Sequence, residues 1–479
     1  MNSLYQLIQS LTSAEKKFFR LYSSRYELSH QKLEMILFDI IAKTKDPTDK
    51  KIKRKIKSRQ LLNQLNLYKH LLYKNLLGHL AHYHLEKSAE DEVIDLLKKS
   101  KVLFQKAMYS ESVRFLDKAI ALARENELFA LFLHLCEVRN KYERSRTDAE
   151  RYFRDNLAGV AEEKQMNEQQ RIIIDLRELN NKINYQIMML GVAEDSRIKK
   201  QFSKNILKQL NRFSTLLRSK RAQHLYWKSF ISIAYMNQDY KTARHYLQKI
   251  LNDQEKIPGN HLENREELFR GYYLLLWSYF FQGEYVKAAD VFKKINGLKV
   301  NTHNLSLLKF DLFINYEILT RIHTGRGDSS EEIERKLLDA YSSYLGLLDL
   351  QNTLVIHMNM ATLFFVEKKF HKSMEWINKL LAHHQKHRDF EVVTRARILQ
   401  ILIQYELKLL KLLKYSILST KRFISKKRAL TTEEVLLLSA IQRLSVKTDE
   451  KRNQLLEKGI AYWVKGKPAG PILAQLISG

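Results

Sequence analysis

Chain breakers and thiols are scarce in this sequence. Fourteen glycines and four prolines punctuate 479 residues. Few positions therefore force a helix to stop, and long helices joined by short turns are expected. Alternating β-rich runs are hard to find, so the fold class reads as all-α. The single cysteine, Cys136, excludes an intrachain disulfide framework and thiolate zinc clusters. Within the apolar run LFALFLHLCEV it reads as a small buried hydrophobe. No uncharged apolar stretch reaches the roughly 18 residues of a membrane helix, so membrane insertion is not expected. The N-terminal MNSLYQLIQSLTSAEKK lacks a charged segment followed by an apolar one, which argues against a secretory signal and for a cytoplasmic protein. The phosphate-cradling G-x-x-x-x-G-K-[ST], the G-x-G-x-x-G, H-E-x-x-H and G-x-S-x-G motifs are all missing. Neither an enzyme nor a cofactor is expected.

Negative charge is the other shortage. Lys and Arg number 82 against 53 Asp and Glu, a net charge of +29. The excess points to an anionic partner such as nucleic acid, a ribosome, an acidic protein or a membrane surface. A merely solubilising basic surface is the competing explanation.

What is present is helical periodicity. Tyr272, Leu275, Leu276 and Tyr279 recur at i, i+3, i+4 and i+7. After Gln282-Gly283-Glu284, a second stripe follows with Tyr285, Ala288, Phe292 and Ile295. Ala288 permits close approach of the two helices, and Phe292 and Ile295 are expected to fill the core. Neither helix buries its stripe alone, and such hairpins usually gain neighbours by repetition. Three more stretches carry the pattern. VLFQKAMYSESVRFLDKAI has Leu103, Tyr109, Ser112, Leu116 and Ala119. YWKSFISIAYMNQDYKTARHYLQKI has Trp227, Phe230, Ala234, Tyr240, Ala243, Leu247 and Ile250. MATLFFVEKKFHKSMEWINKLL has Ala361, Phe364, Phe370, Ser373, Ile377 and Leu380.

These four hairpins resemble the tetratricopeptide repeat (TPR) family, at a spacing less regular than its period of about 34 residues. The resemblance implies a right-handed superhelix of antiparallel hairpins, a TPR-like solenoid, over residues 90–479. It further implies a non-enzymatic scaffold that holds a protein or peptide in its concave face. Helix positions off the core would line that face: Lys228, Ser232, Tyr273, Ser278, Asn359 and Thr362. Between the hairpins, helices are expected at 127–144, 147–191 and 195–218. Leu305–Ile322 pairs with Glu331–Leu348, and 390–411 with 413–427. A cap near Glu433–Leu444 precedes a short tail.

Residues 1–89 read as a separate helical module. Thr12 and Ser13 offer an N-cap. A helix is expected over His30–Lys43 and a long one over Gln60–Lys87, with Leu61, Leu65, Tyr68, Leu72, Leu76 and Leu80 as its seam. Between them, Lys50, Lys51, Lys53, Arg54, Lys55, Lys57 and Arg59 form a run without an acid. That layout is similar to regulators joining a helix-turn-helix to TPR hairpins, and it supplies the alternative reading, a nucleic-acid-associated regulator. The glycine-containing turn expected between two reading helices is not evident. A solvated connector is the simpler reading of the run. Basic and aromatic residues also interleave at Arg218–Tyr226 and Lys421–Arg428. His79, His82 and His84, and His383, His384 and His387, are more simply helix-end histidines than metal ligands. Arg326-Gly327-Asp328 reads as a turn.

Overall fold

The computed structural model describes residues 2–23, 29–44, 48–84, 88–144, 149–190, 196–256, 262–299, 303–340, 348, 350–383, 390–426, 429–444 and 450–464. Among the described residues there are 23 α-helices, one 3-10 turn and no strand. The chain divides into two compact units, residues 1–185 with 200–299 and residues 186–199 with 300–479.

The first unit opens with α1 (Asn2–Ser10), α2 (Ser13–Ser23), α3 (Ser29–Ala42), α4 (Asp49–Lys55), α5 (Arg59–Asn63) and α6 (Leu65–His84). Their apolar faces meet in one buried cluster that includes Ile8, Phe19, Leu37, Phe38, Ile41, Ile52, Leu61, Tyr68, Leu72 and Leu76. Thr12 and Glu15 form a capping box: Thr12 N donates to Glu15 Oε2 at 2.7 Å and Glu15 N to Thr12 Oγ1 at 3.2 Å. The seam expected from Leu61 to Leu80 packs on this cluster throughout. It is carried by two helices rather than one, because Gln64 leaves the helical region between α5 and α6.

α7 (Ala89–Gln105), α8 (Tyr109–Glu125) and α9 (Phe129–Arg144) pack in succession around Val93, Leu116, Ala119, Phe132 and Leu135. The region expected at 147–191 is a single 42-residue helix, α10 (Ala149–Leu190), followed by α11 (Ser196–Leu210). Two hairpins follow: α12 (Lys220–Met236) with α13 (Tyr240–Glu255), and α14 (Leu262–Phe281) with α15 (Tyr285–Gly297). In α15 the core side chains are Ala288, Val291 and Ile295. Phe292 is only half-buried, which corrects its assignment as a core residue: the stripe of α15 is centred one residue earlier.

The second unit contains α16 (His303–Thr324), α17 (Ser330–Asp339), α18 (Leu350–Val366), α19 (Phe370–His383), α20 (Phe390–Glu406), α21 (Leu410–Ser425), α22 (Thr432–Leu444) and α23 (Glu450–Val464). One cluster runs through it from Ile314 to Val464 and includes Phe364, Trp376, Ile377, Leu399 and Ile441. α17 ends at Asp339, well short of the expected Leu348, and residues 341–347 lie outside the described residues. A tail was expected beyond Leu444, but α23 packs there on α18 and α22 through Leu456 and Ile460.

A single turn closes six of these hairpins. Ala107, Glu127, Gln238, Gly283, Lys368 and Lys408 all adopt φ between +53° and +79°. In each, the next residue's N–H reaches back five residues: Met108 to Leu103 O (3.0 Å), Leu128 to Ala123 O (2.9 Å), Asp239 to Ala234 O (2.8 Å). Glu284 to Tyr279 O (3.0 Å), Lys369 to Phe364 O (2.8 Å) and Leu409 to Gln404 O (2.9 Å) complete the set. This is the Schellman closure, which satisfies the last carbonyls of the first helix. Four of the turns are also clasped by an edge-to-face aromatic pair, one ring three residues before the left-handed residue and one two after. The pairs are Phe104–Tyr109, Tyr235–Tyr240, Phe280–Tyr285 and Phe365–Phe370, with centroids 5.2, 5.6, 5.2 and 5.5 Å apart. Three residues into the second helix sits a small buried residue, Ser112, Ala243, Ala288 or Ser373. Both serines donate to a backbone carbonyl twelve residues earlier, Ser112 to Ser100 O (2.8 Å) and Ser373 to Ala361 O (2.7 Å).

The turn at Lys408 shows why the last hairpin carries no aromatic signature. Leu410 occupies the place of the second ring, and the backbone closes without it. The helices accordingly end at Glu406 and begin at Leu410, earlier than the expected 411 and 413.

Candidate binding surfaces

The polar positions proposed along the first helices of the hairpins divide into three groups. Ser278 and Thr362 are buried and closed to a partner, which removes them from the expected lining. Ser278 Oγ donates to Leu275 O at 2.7 Å and Thr362 Oγ1 to Met358 O at 2.8 Å. Each hydroxyl is satisfied inside its own helix, so burial costs little. Lys228 and Asn359 tie one hairpin to the next. Lys228 Nζ donates to Glu267 Oε2 at 2.7 Å, joining α12 to α14. Asn359 Nδ2 donates to Asn315 Oδ1 at 2.7 Å, joining α18 to α16. Tyr235 Oη, donating to Leu274 O, repeats the α12–α14 tie, and burial pushes its phenol above the ordinary tyrosine range. Ser232 and Tyr273 remain half-exposed. Tyr273 meets Trp277 edge-on at 6.0 Å.

Sequence reasoning did not foresee that polar side chains stitch neighbouring hairpins. The signal lies in Tyr235 and Lys228, whose partners each fall 39 residues later.

The basic run takes a definite shape. α4 is capped by Thr48, whose hydroxyl accepts from Lys51 N, and α5 by Ser58, which accepts from Leu61 N. Ile56 and Ser58 are both extended, at φ −79° ψ 119° and φ −78° ψ 119°. Three residues therefore turn the chain without glycine, because no left-handed residue is needed. Ile52, Ile56 and Leu61 anchor the segment in the core. Anchoring on these leaves Lys50, Lys51, Lys53, Arg54, Lys55, Lys57 and Arg59 all exposed. Lys55 Nζ reaches Thr44 Oγ1 at 3.1 Å. Asp49, the acid at the start of α4, is engaged elsewhere: its Oδ1 accepts from Tyr5 Oη at 2.7 Å and Lys69 Nζ at 2.8 Å. The hydrogen bonds from Lys69 and Tyr5 hold its carboxyl below the usual range.

The other mixed basic and aromatic stretches are arranged differently. At the start of α12, Lys220 N and Arg221 N donate to the two carboxylate oxygens of Glu127 at 2.7 and 2.8 Å. A helix N-terminus that attracts anions is here already filled by the chain's own carboxylate. Beyond it, Phe230 and Tyr246 stack at 4.8 Å, with Lys249 5.2 Å above the Tyr246 ring. Arg397 lies 4.4 Å over Phe423, and Arg428 lies outside the described residues. Arg326-Gly327-Asp328 is a turn between α16 and α17. Arg321 Nη1 donates to Gly325 O at 2.8 Å, and Lys336 pairs with Asp328 at 2.5 Å.

Cys136 is half-buried rather than fully buried, beside the α7–α9 cluster. Burial, with the carboxylates of Glu163 and Glu162, pushes its thiol up to about 11, which disfavours a reactive thiolate. Among the described residues, no group of three or more His, Cys, Asp and Glu is placed to hold a metal ion. The side chains of His82, His84, His383, His384 and His387 lie outside them. Among the described residues, no helix is long and apolar enough to cross a membrane.

No family model, curated protein or solved structure matches this chain.

Proposed function

We propose that the chain is a TPR-like helical-repeat scaffold that binds a protein or peptide, its hairpins stacked as a right-handed superhelix. The observation that carries the reading is the recurrence of one hairpin design: the same left-handed turn, the same aromatic clasp and the same small residue facing the first helix. A design whose units bury their stripes only against neighbours suits a scaffold that presents side chains from several helices at once. Such a surface needs little rearrangement to take an extended ligand, which limits the cost of binding. Ser232 and Tyr273 are its contact residues, with Lys228 bordering them. Photo-crosslinking amino acids placed at Ser232 and Tyr273, compared with one at Lys241 on α13, test the reading in cells. A protein captured from the first two positions and not from Lys241 supports it. Nucleic acid captured from both, or the same proteins from all three, removes it.

A second reading is favoured by the exposed ridge from Lys50 to Arg59. Seven cations on a capped, core-anchored turn are suited to a phosphate backbone, and the repeats would then serve as the sensor of a nucleic-acid-associated regulator. Neutralising phosphates releases counterions, so affinity should fall steeply with salt, by about 0.9 in log–log slope per contacted phosphate of duplex DNA. Changing Lys51, Lys53, Arg54 and Lys57 to Gln should flatten that slope. A flat response in the unaltered chain rejects this reading.

A further inference from the structure

One surface of the second unit belongs to neither reading. α21 packs inward through Leu413, Ile417, Thr420 and Ile424, all buried. Its opposite face is not wholly polar. Lys411, Tyr415, Leu418 and Arg422 follow one another at i, i+4, i+7 and i+11, the spacing of a single stripe on an α-helix. Tyr415 is 75% exposed, Leu418 48% and Leu412, on the flank of the stripe, 56%. Lys408, Lys411, Lys414, Arg422 and Lys426 surround them, each exposed. No Asp or Glu occurs from Leu407 to Thr432.

We infer that this face of α21 is a docking surface for an anionic lipid membrane, on which the folded chain rests without crossing it. Three features favour that occupant. Bulky side chains pointing outward amid cations match the chemistry of the headgroup boundary, where apolar tips enter the acyl edge and Lys and Arg meet phosphates. Leu412 and Leu418 offer nothing to a nucleic-acid backbone, and Tyr415 is a lone ring where single-stranded nucleic acid is bound by successive stacked bases. The outer side of one helix is a convex ridge, whereas a partner helix is usually received by a groove between helices. A membrane surface needs no groove. The long stems of Lys411 and Lys414 keep their charges at headgroup level while Leu412 and Leu418 go deeper.

The test uses the full chain and vesicles of phosphatidylcholine, alone or mixed with phosphatidylglycerol, read by co-sedimentation. The chain should bind the anionic vesicles and not the neutral ones. A variant carrying Leu412→Gln, Tyr415→Gln and Leu418→Gln keeps every charge, and unchanged thermal unfolding verifies its fold. It should bind anionic vesicles about tenfold more weakly, since the apolar contribution is gone. A second variant, Lys411→Gln with Lys414→Gln and Arg422→Gln, should also bind more weakly while keeping the apolar tips. Equal binding by the first variant and the unaltered chain would show that net charge alone is responsible and overturn the inference. So would absence of vesicle binding, or a protein or RNA that competes for the same side chains while lipid does not.

Discussion

In the stretch from Asn2 to His84, side chains start three of the helices. Thr12 with Glu15, Thr48 and Ser58 each supply an oxygen to an N–H in the first turn. From Ala89 onward, the six recurring turns share a backbone closure, through left-handed residues and i to i−5 hydrogen bonds, and one of them adds a side-chain cap, Asp239 accepting from Thr242 N. Only one of those six residues is glycine, Gly283. The difference explains how a hairpin can recur while its sequence drifts. A side-chain cap fails when its residue changes. A Schellman turn asks only that one residue tolerate positive φ, at a cost of about 1–2 kcal/mol for a residue with a Cβ. Aromatic clasps and small-residue contacts then fix the pairing of the helices.

The comparison is broken most severely in the core of the second unit. Trp376, fully buried with Nε1 donating to Glu334 at 3.0 Å, should cost about 3–5 kcal/mol as Trp376→Ala. Half-buried Phe292→Ala should cost clearly less. Urea unfolding of the two variants checks the assignment of inward positions, and equal losses would place the register of α15 wrongly.

The carboxylate of Glu367, in the α18–α19 turn, sharpens the comparison by its dependence on pH. Burial tends to raise its pKa, but hydrogen bonds from Lys369 Nζ (2.7 Å), Ser330 Oγ (2.6 Å) and Arg321 Nε (2.9 Å) outweigh burial and hold it at about 2. The folded value lies below the free-chain value of about 4.3. Its stabilisation is therefore complete above the free-chain value and is lost as pH falls from there towards about 2. Glu367→Gln should be less stable at neutral pH and should lose less stability on acidification through that window. Thermal unfolding at several pH values measures both.

The aromatic clasp should contribute on a smaller scale. A double-mutant cycle on Phe365 and Phe370 should give a coupling of about 0.5–1.5 kcal/mol, whereas Leu410, which sets no ring opposite Tyr405 across its turn, should show no such coupling to it. Least of all, the left-handed residues should respond to glycine. Lys368→Gly should stabilise by about 0.5–1 kcal/mol, the relief of positive φ exceeding the added freedom of the unfolded chain. Gly283→Ala should destabilise by about 1 kcal/mol, although its new Cβ would meet nothing within 4 Å. A neutral result at both positions would mean that the turn carries no strain.

The sequence by itself determined the all-helical class, because breakers are few and apolar residues recur at helical spacing. It located the turns at Tyr109, Tyr240, Tyr285 and Phe370, since an aromatic and a small residue mark each one. It also marked the basic run, since charge is legible without coordinates. Only the tertiary structure decided which polar side chains are free: Ser278 and Thr362 look accessible by spacing yet are covered by neighbouring helices, and Lys228 and Asn359 are taken up by partners some 40 residues away. It likewise placed Ile52, Ile56 and Leu61 inward, so that all seven cations around them point out. Periodicity reports one helix at a time, while burial and pairing depend on which helix arrives from elsewhere in the chain.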